Sequence, residues 1–400
     1  MRPNLFPCTE FEEIVYLLQG GGALGAFQVG VYQALEEAGF EPDWLVGISI
    51  GAINASIIAG NPAELRAEKL KLFWDTITHS IEPKFSSSDH QDYTLIQAYN
   101  MGSALMSINF GQEGFFTPQL LNPWIHGENT PDHISFYDTK QLKKTLHKVI
   151  DFDYLNAAHV RLSLGAVNIE TGKLHFFDNK NINISVDHIM ASCALPPGFP
   201  AIKIDEQYYW DGGLYSNTPL ICVINDLPHK SRLCFLVDLF DSTGLIPGNM
   251  DEVLERAKDI TYAGHLDILL DYYDLHLLMQ KRIADCIEHL PTSLKDDEYI
   301  QDLAKLGDAH NVHITKIVYK AHKDDLHSKD YEFSNFNARR RMSEGHDHMQ
   351  TLLADPDWWK KRDDNIGTLV HPSTDDMHIV IGACACKNEG HYNRGSKPCV

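Results

Sequence analysis

Between Ile14 and Leu239 the chain alternates apolar runs of strand length with segments whose apolar residues recur at helical spacing. Ile14-Val15-Tyr16-Leu17-Leu18 predicts a buried strand, followed by Gln19 and the loop Gly20-Gly21-Gly22-Ala23-Leu24-Gly25. Ala26, Phe27, Val29, Val31, Tyr32, Leu35 and Ala38 then recur at helical spacing, and Gly39 is placed to end that helix. Trp44-Leu45-Val46-Gly47-Ile48 predicts the next strand, and Ala52 to Ala59 the helix behind it. Ala63 to Trp74, Leu142 to Ile150 and Val186 to Leu195 read as helices. Arg161 to Val167 and Leu174 to Phe177 alternate like strands, Tyr209-Trp210-Asp211 is a short one, and Leu233 to Leu239 is a late buried one. Helices alternating with apolar strands predict an α/β fold with a mainly parallel sheet layered between helices. Gly244 to Gly248, with Pro247, marks a boundary, and Val253 to Leu290 beyond it is strongly helical. No internal repeat is visible.

Three local patterns carry chemistry. Gly47-Ile48-Ser49-Ile50-Gly51 reads as a nucleophile elbow, a sharp strand-to-helix turn that presents a serine hydroxyl at its crest. Gly47 and Gly51 leave room there that a Cβ would fill. The Gly20–Gly25 loop, between a strand and a helix, aims backbone N–H groups and a helix N-terminus at one small volume, which favours a phosphate or an oxyanion. Asp211-Gly212-Gly213 delivers a carboxylate into a glycine turn. Taken singly, Ser49 is also a small residue in a tight turn and Asp211 a common turn-former. Together they outline acyl transfer. Two rivals use the same residues. Gly20, Gly22 and Gly25 also satisfy the dinucleotide-binding glycine pattern, but that reading needs an acid closing the second strand, and Asp43 precedes it. An ordinary α/β-hydrolase triad would draw on one of the 21 histidines, although only one strand precedes this elbow.

With these motifs the chain resembles the patatin-like phospholipases, acyl hydrolases with a Ser–Asp dyad and no histidine. The resemblance runs from Ile14 through Pro219 and has a fourth block, Ala191-Ser192-Cys193-Ala194-Leu195-Pro196-Pro197-Gly198-Phe199-Pro200, which is similar to the family's proline-containing segment. It implies a three-layer α/β/α sandwich with Ser49 as nucleophile and Asp211 as base. It further implies an oxyanion hole drawn from Gly20, Gly21, Gly22 and Ala23, an elbow framed by Gly47 and Gly51, and a D-G-G block completed by Gly212 and Gly213. Burial near Tyr209 and Trp210 would raise the pKa of Asp211 enough for it to act as a base. No metal or other cofactor is expected. Phospholipids and lysophospholipids are the implied substrates, with other esters, thioesters, a stored polyester, or lipid binding without catalysis as alternatives. One departure stands out: many members carry Lys or Arg where this chain has Leu24, a loss that removes a charge-assisted contact for an anionic headgroup. The expected organisation is a hydrolase domain over 10–245, a mostly helical extension over 246–380 and a polar tail over 381–400, the extension resembling that of a bacterial subgroup.

Composition adjusts this picture in a few places. The 400 residues, 44% hydrophobic and 22% charged, suit a soluble globular protein of one large or two moderate domains. A net charge of −21 argues against nucleic-acid partners and against nonspecific attraction to anionic membranes. Any membrane contact is therefore expected to be peripheral, transient and local. The apolar-rich stretch between about Ile81 and Asp132, with Gly114-Phe115-Phe116 and Leu120-Leu121, reads either as a lid or acyl-chain surface or as the core of a helical insertion. The N-terminus lacks a signal peptide's apolar core, so a cytoplasmic location is expected. The eight cysteines are scattered like reduced thiols, apart from Cys384, Cys386 and Cys399, which with His391 have irregular spacing for a zinc site. His346 and His348 read as solvated surface residues rather than ligands, and Arg339-Arg340-Arg341 as a basic cluster that serves internal ion pairs in preference to a headgroup contact.

Overall fold

The computed structural model describes residues 11–79, 93–120, 123–124, 130–228, 230–307, 312–355 and 368–371. Among the described residues nine strands form the main sheet: β1 (Glu13–Leu18), β2 (Trp44–Ile48), β3 (Arg161–Asn168), β4 (Leu174–Asp178), β5 (Ile202–Ile204), β6 (Gln207–Asp211), β7 (Arg232–Asp238), β8 (Val312–Val318) and β9 (Thr368–His371). Their order is β9-β8-β7-β1-β2-β3-β6-β5, with β4 also paired to β3. The six strands from β9 to β3 run parallel, and β4, β5 and β6 add an antiparallel margin. The chain is thus a mixed α/β protein with a mainly parallel central sheet, helices on both faces and a helical C-terminal region.

Alternation along the strands explains the layers. Ile14, Tyr16 and Leu18 of β1 join one core with α1 (Gly25–Glu37) and α2 (Ile50–Ala59). Val15 and Leu17 point the other way, into a second core with Leu266, Leu270, Tyr273 and Leu277. Those four belong to the long helix Met250–Glu288. A strand buried on both faces has no reason to alternate polar with apolar residues, which is why β1 and β2 read as continuous apolar runs. The edge where the strands begin carries buried charges that are paired. Arg232 is 0% exposed and meets Glu13 at 2.9 Å, while Arg161 meets Asp178 at 2.7 Å and Asp226 at 2.8 Å.

The chain beyond residue 245 opens with the long helix and then returns β8 and β9 to the same sheet, parallel to β7. Its last described helix, Asn335–Ala354, crosses α1 with glycines facing each other's backbone. A Cβ on Gly30 would lie 1.8 Å from Met342 O, and one on Gly345 would lie 2.2 Å from Phe27 O. Only hydrogen fits at either contact.

Two expectations are corrected. The helix read as Val186 to Leu195 ends at Ser192, because residues ahead of a proline avoid helical backbone and Pro196 follows closely. His346 and His348 are half-buried rather than solvated: His346 Nε2 meets Glu37 Oε2 at 3.0 Å, and the His348 ring meets Phe27 edge-on, with centroids 6.1 Å apart. Cys8, Phe85, Leu121 and the cysteine-containing tail lie outside the described residues. Among the described residues no helix is long and apolar enough to cross a membrane.

Gly345→Ala is a sign test of the helix crossing. At an exposed helix position Ala in place of Gly would gain about 1 kcal/mol. Here the added methyl meets a backbone carbonyl, and the expected outcome is a loss of about 1–3 kcal/mol in urea unfolding. An unchanged or raised midpoint contradicts the close crossing.

Candidate active site

The elbow is a strained turn held by its surroundings. Ser49 sits between β2 and α2 at φ 55 and ψ −125, a conformation that a side-chain-bearing residue adopts only under constraint. Its carbonyl accepts from Ala52 N (2.9 Å) and Ile53 N (3.2 Å), opening α2. Its own N–H donates to Ser192 Oγ at 3.1 Å, and that hydroxyl donates to Gly165 O at 2.6 Å. The Cys193 thiol donates to Ser49 O at 3.1 Å. The flanking glycines are sterically required. A Cβ on Gly47 would lie 2.5 Å from Gly51 O, and one on Gly51 would lie 2.2 Å from Leu18 O.

Sheet register brings the second group in. β3 lies between β2 and β6, with Ile48 opposite Gly165 on one side and Asp211 opposite Ala166 on the other. The end of β2 and the end of β6 therefore meet over neighbouring residues of one strand. Ser49 and Asp211 line the same cavity, and Gly213 N donates to Asp211 Oδ1 at 2.8 Å. Asp211 is 2% exposed. Burial pushes its pKa up to about 7, against the opposing pull of the nearby Ser49 hydroxyl and the Gly213 N–H. Neither Tyr209 nor Trp210 lines the cavity at this site; Tyr209 meets Phe177 edge-on, with centroids 5.1 Å apart.

The glycine loop is fixed by buried amides. Gln19 donates to Thr218 Oγ1 (2.7 Å) and accepts from Leu239 N (2.7 Å). Gln28 donates to Gln19 O at 2.7 Å, and Asn54 donates to Gly25 O and Gln28 Oε1, both at 2.9 Å. Asn217 Nδ2 donates to Gly20 O at 3.0 Å, while Gly20 N donates to Asn217 O at 3.4 Å. The Gly20 amide is therefore engaged and Ala23 is buried, whereas Gly21 and Gly22 line the cavity together with Ser49, Asp211 and Gly213. Behind the loop, the buried Arg341 guanidinium donates to Ala23 O at 3.3 Å and lies 3.5 Å from Asp325. Leu24 itself is fully buried.

The cavity encloses about 360 Å³, within the range of small-molecule sites. Ile108, Phe115, Phe116, Leu195 and Phe199 give it an apolar wall, and Tyr262, Asp330, Tyr331 and Phe333 close it from the C-terminal half. Phe115 and Phe116 are each 5% exposed, so they belong to that wall and not to an outer surface. Ser192 and Cys193, legible only as part of the proline-containing block, brace the Ser49 backbone, and Asn217 and the Gln19–Gln28–Asn54 chain brace the glycine loop, roles that no sequence motif announces. The signal available was polar residues set into otherwise apolar, buried segments. Among the described residues no group of three or more His, Cys, Asp or Glu is arranged to hold a metal ion.

Residues 16–223, just over half of the chain, match the family model for "Patatin-like phospholipase". Residues 260–365 match a second model, described as "Patatin phospholipase". A search of curated proteins found no match. Among solved structures, VipD from Legionella pneumophila is similar at 15% identity and a TM-score of 0.37, covering 86% of this chain and 67% of its own. Full-length ExoU of Pseudomonas aeruginosa, solved in complex with SpcU from the type III secretion system, is another similar structure. That match has 16% identity and a TM-score of 0.25, covering 62% of this chain and 49% of the other.

The raised pKa of Asp211 makes a stability prediction. The folded protein holds this proton up to about pH 7, whereas the ordinary value for the group is 3.8, so stability from this group is full below about 4 and lost as pH rises through 7. Asp211→Asn removes the penalty. Urea unfolding is expected to show the variant more stable than wild type at pH 8 by roughly 1–4 kcal/mol, with the gap shrinking towards pH 4. A gap that does not change with pH contradicts the shift.

Proposed function

The chain belongs to the patatin-like phospholipase family, and we propose that it is a serine acyl hydrolase releasing fatty acids from phospholipids and lysophospholipids. The observation that carries this reading is that Ser49 and the buried Asp211 line one largely apolar cavity, with the serine hydroxyl near enough to pull on the carboxyl's pKa. Asp211 accepts the proton as Ser49 Oγ attacks the ester carbonyl, a task for which a base of pKa about 7 is well matched near neutral pH. The N–H groups of Gly21 and Gly22 hold the oxyanion. Collapse expels the alcohol, which takes the proton back from Asp211 and leaves an acyl-serine. Water then gives a proton to Asp211, attacks the acyl carbonyl and releases the fatty acid as the proton returns to Ser49.

The lining also bears on the rivals. Among the described residues no histidine lines the cavity, which disfavours an ordinary Ser–Asp–His triad. No lysine or arginine lines it either, which supports a site that takes the acyl chain inside and leaves the phosphate at the mouth. The mechanism needs no metal. The substrate calls for peripheral, transient contact with a membrane, and we place the protein in the cytoplasm.

Ser49→Ala is expected to lower release of fatty acid from lysophosphatidylcholine by at least about 1000-fold, with Asp211→Asn close behind because the two act as a unit. Near wild-type turnover in Ser49→Ala rejects the dyad. In wild type kcat/KM is expected to rise with pH to a plateau, with a limb near pH 7 set by ionisation of Asp211. A limb near pH 4 would mean that another group titrates. Activity is expected to persist in a chelator.

A further inference from the structure

The helix Tyr93–Phe110 is amphipathic the wrong way round for a protein surrounded by water. Its buried positions are Ile96, Asn100, Ser103, Ala104 and Ser107, three of them polar. Those polar groups are satisfied by protein partners. Asn100 donates to Asp324 O at 2.8 Å and accepts from Asn337 Nδ2 at 2.8 Å. Ser103 pairs with His79 at 2.7 Å and donates to Glu332, and Ser107 donates to Gln112 at 3.3 Å. The outward face carries Leu95, Met101, Leu105, Met106, Ile108 and Phe110, with Met101 53%, Leu105 52% and Phe110 69% exposed. None of the 18 residues is charged, in a chain whose net charge is −21.

We propose that this helix is the face on which the protein seats itself on a lipid surface of zwitterionic or neutral headgroups. Three observations select that occupant. A helix that hydrogen-bonds inward and shows its apolar stripe outward matches a medium of low polarity, as interfacial helices do. The face offers no charge to attract an anionic surface, and the acidic remainder of the chain is repelled by one. The stripe is also continuous with the cavity, because Ser107 and Ile108 line it together with Ser49. A lipid leaving the layer beside this helix has a short apolar path to the nucleophile. The inference deepens the lipid-hydrolase reading and rests on it only for the nature of the substrate, since binding to a lipid surface requires no turnover.

The test is co-sedimentation of the full chain with phosphatidylcholine vesicles. Wild type and Ser49→Ala are expected to bind alike, which keeps this proposal separate from the fate of the catalytic one. Met101→Glu with Leu105→Glu is expected to weaken binding at least tenfold, while the unfolding midpoint and turnover of a monomeric short-chain ester stay within twofold or unshifted. Met101→Gln with Leu105→Gln, which adds no charge, is expected to weaken binding in the same direction. Equal vesicle binding by wild type and the glutamate pair overturns the proposal, as does failure of the wild type to bind. Light scattering that finds a wild-type dimer, dissolved by the glutamate pair without loss of vesicle binding, assigns the face to a second copy instead.

Discussion

A carboxylate shut away from water beside a serine hydroxyl is the interaction on which the rest of this molecule depends. Desolvation pushes Asp211 up to about 7, and the nearby Ser49 hydroxyl and the Gly213 N–H hold its ionised form within reach. Neither effect exists without the other elements. The register of β3 sets the ends of β2 and β6 side by side. Ser192 and Cys193 hold the Ser49 backbone at a dihedral pair it would otherwise avoid. A buried ionisable group is costly, so a fold that keeps one must surround it with compensating contacts.

The C-terminal half is part of that surrounding. Tyr262, Asp330, Tyr331 and Phe333 wall the cavity, and Lys258 holds Asp330 at 2.5 Å. Arg341 reaches the carbonyl of Ala23 from behind the glycine loop, placing a cation on the loop's back where Leu24 itself supplies none. The glycine contacts between α1 and the helix Asn335–Ala354 fix the helix that leads out of that same loop. The segment beyond residue 245 thus acts on the site through packing, with β8 and β9 extending the sheet.

The parts legible in the sequence were those with local causes. β1 and β2 were visible because strands buried on both faces leave unbroken apolar runs. The elbow was visible because its steric demand falls on Gly47 and Gly51, two residues from the serine on either side. β8 was not, because Thr315 and Lys316 interrupt its apolar pattern, and what makes them tolerable is remote: Lys316 pairs with Asp238 of β7 at 3.2 Å. The helix Tyr93–Phe110 read two ways, as surface or as core, for a related reason. Its apolar residues suggested burial, yet the inward positions include Asn100, Ser103 and Ser107, and the partners of Asn100 and Ser103, Asp324 and Glu332, lie more than 200 residues away. The cavity walls drawn from residues 262 and 330–333 carry no local signature at all.

The most direct measurement is peptide mapping of the enzyme quenched during turnover of a slowly hydrolysed acyl ester. The account predicts one acyl group, added in mass to the peptide that contains Ser49 and absent from Ser49→Ala. An acyl group on any other residue, or sustained hydrolysis with no modified peptide, would contradict it.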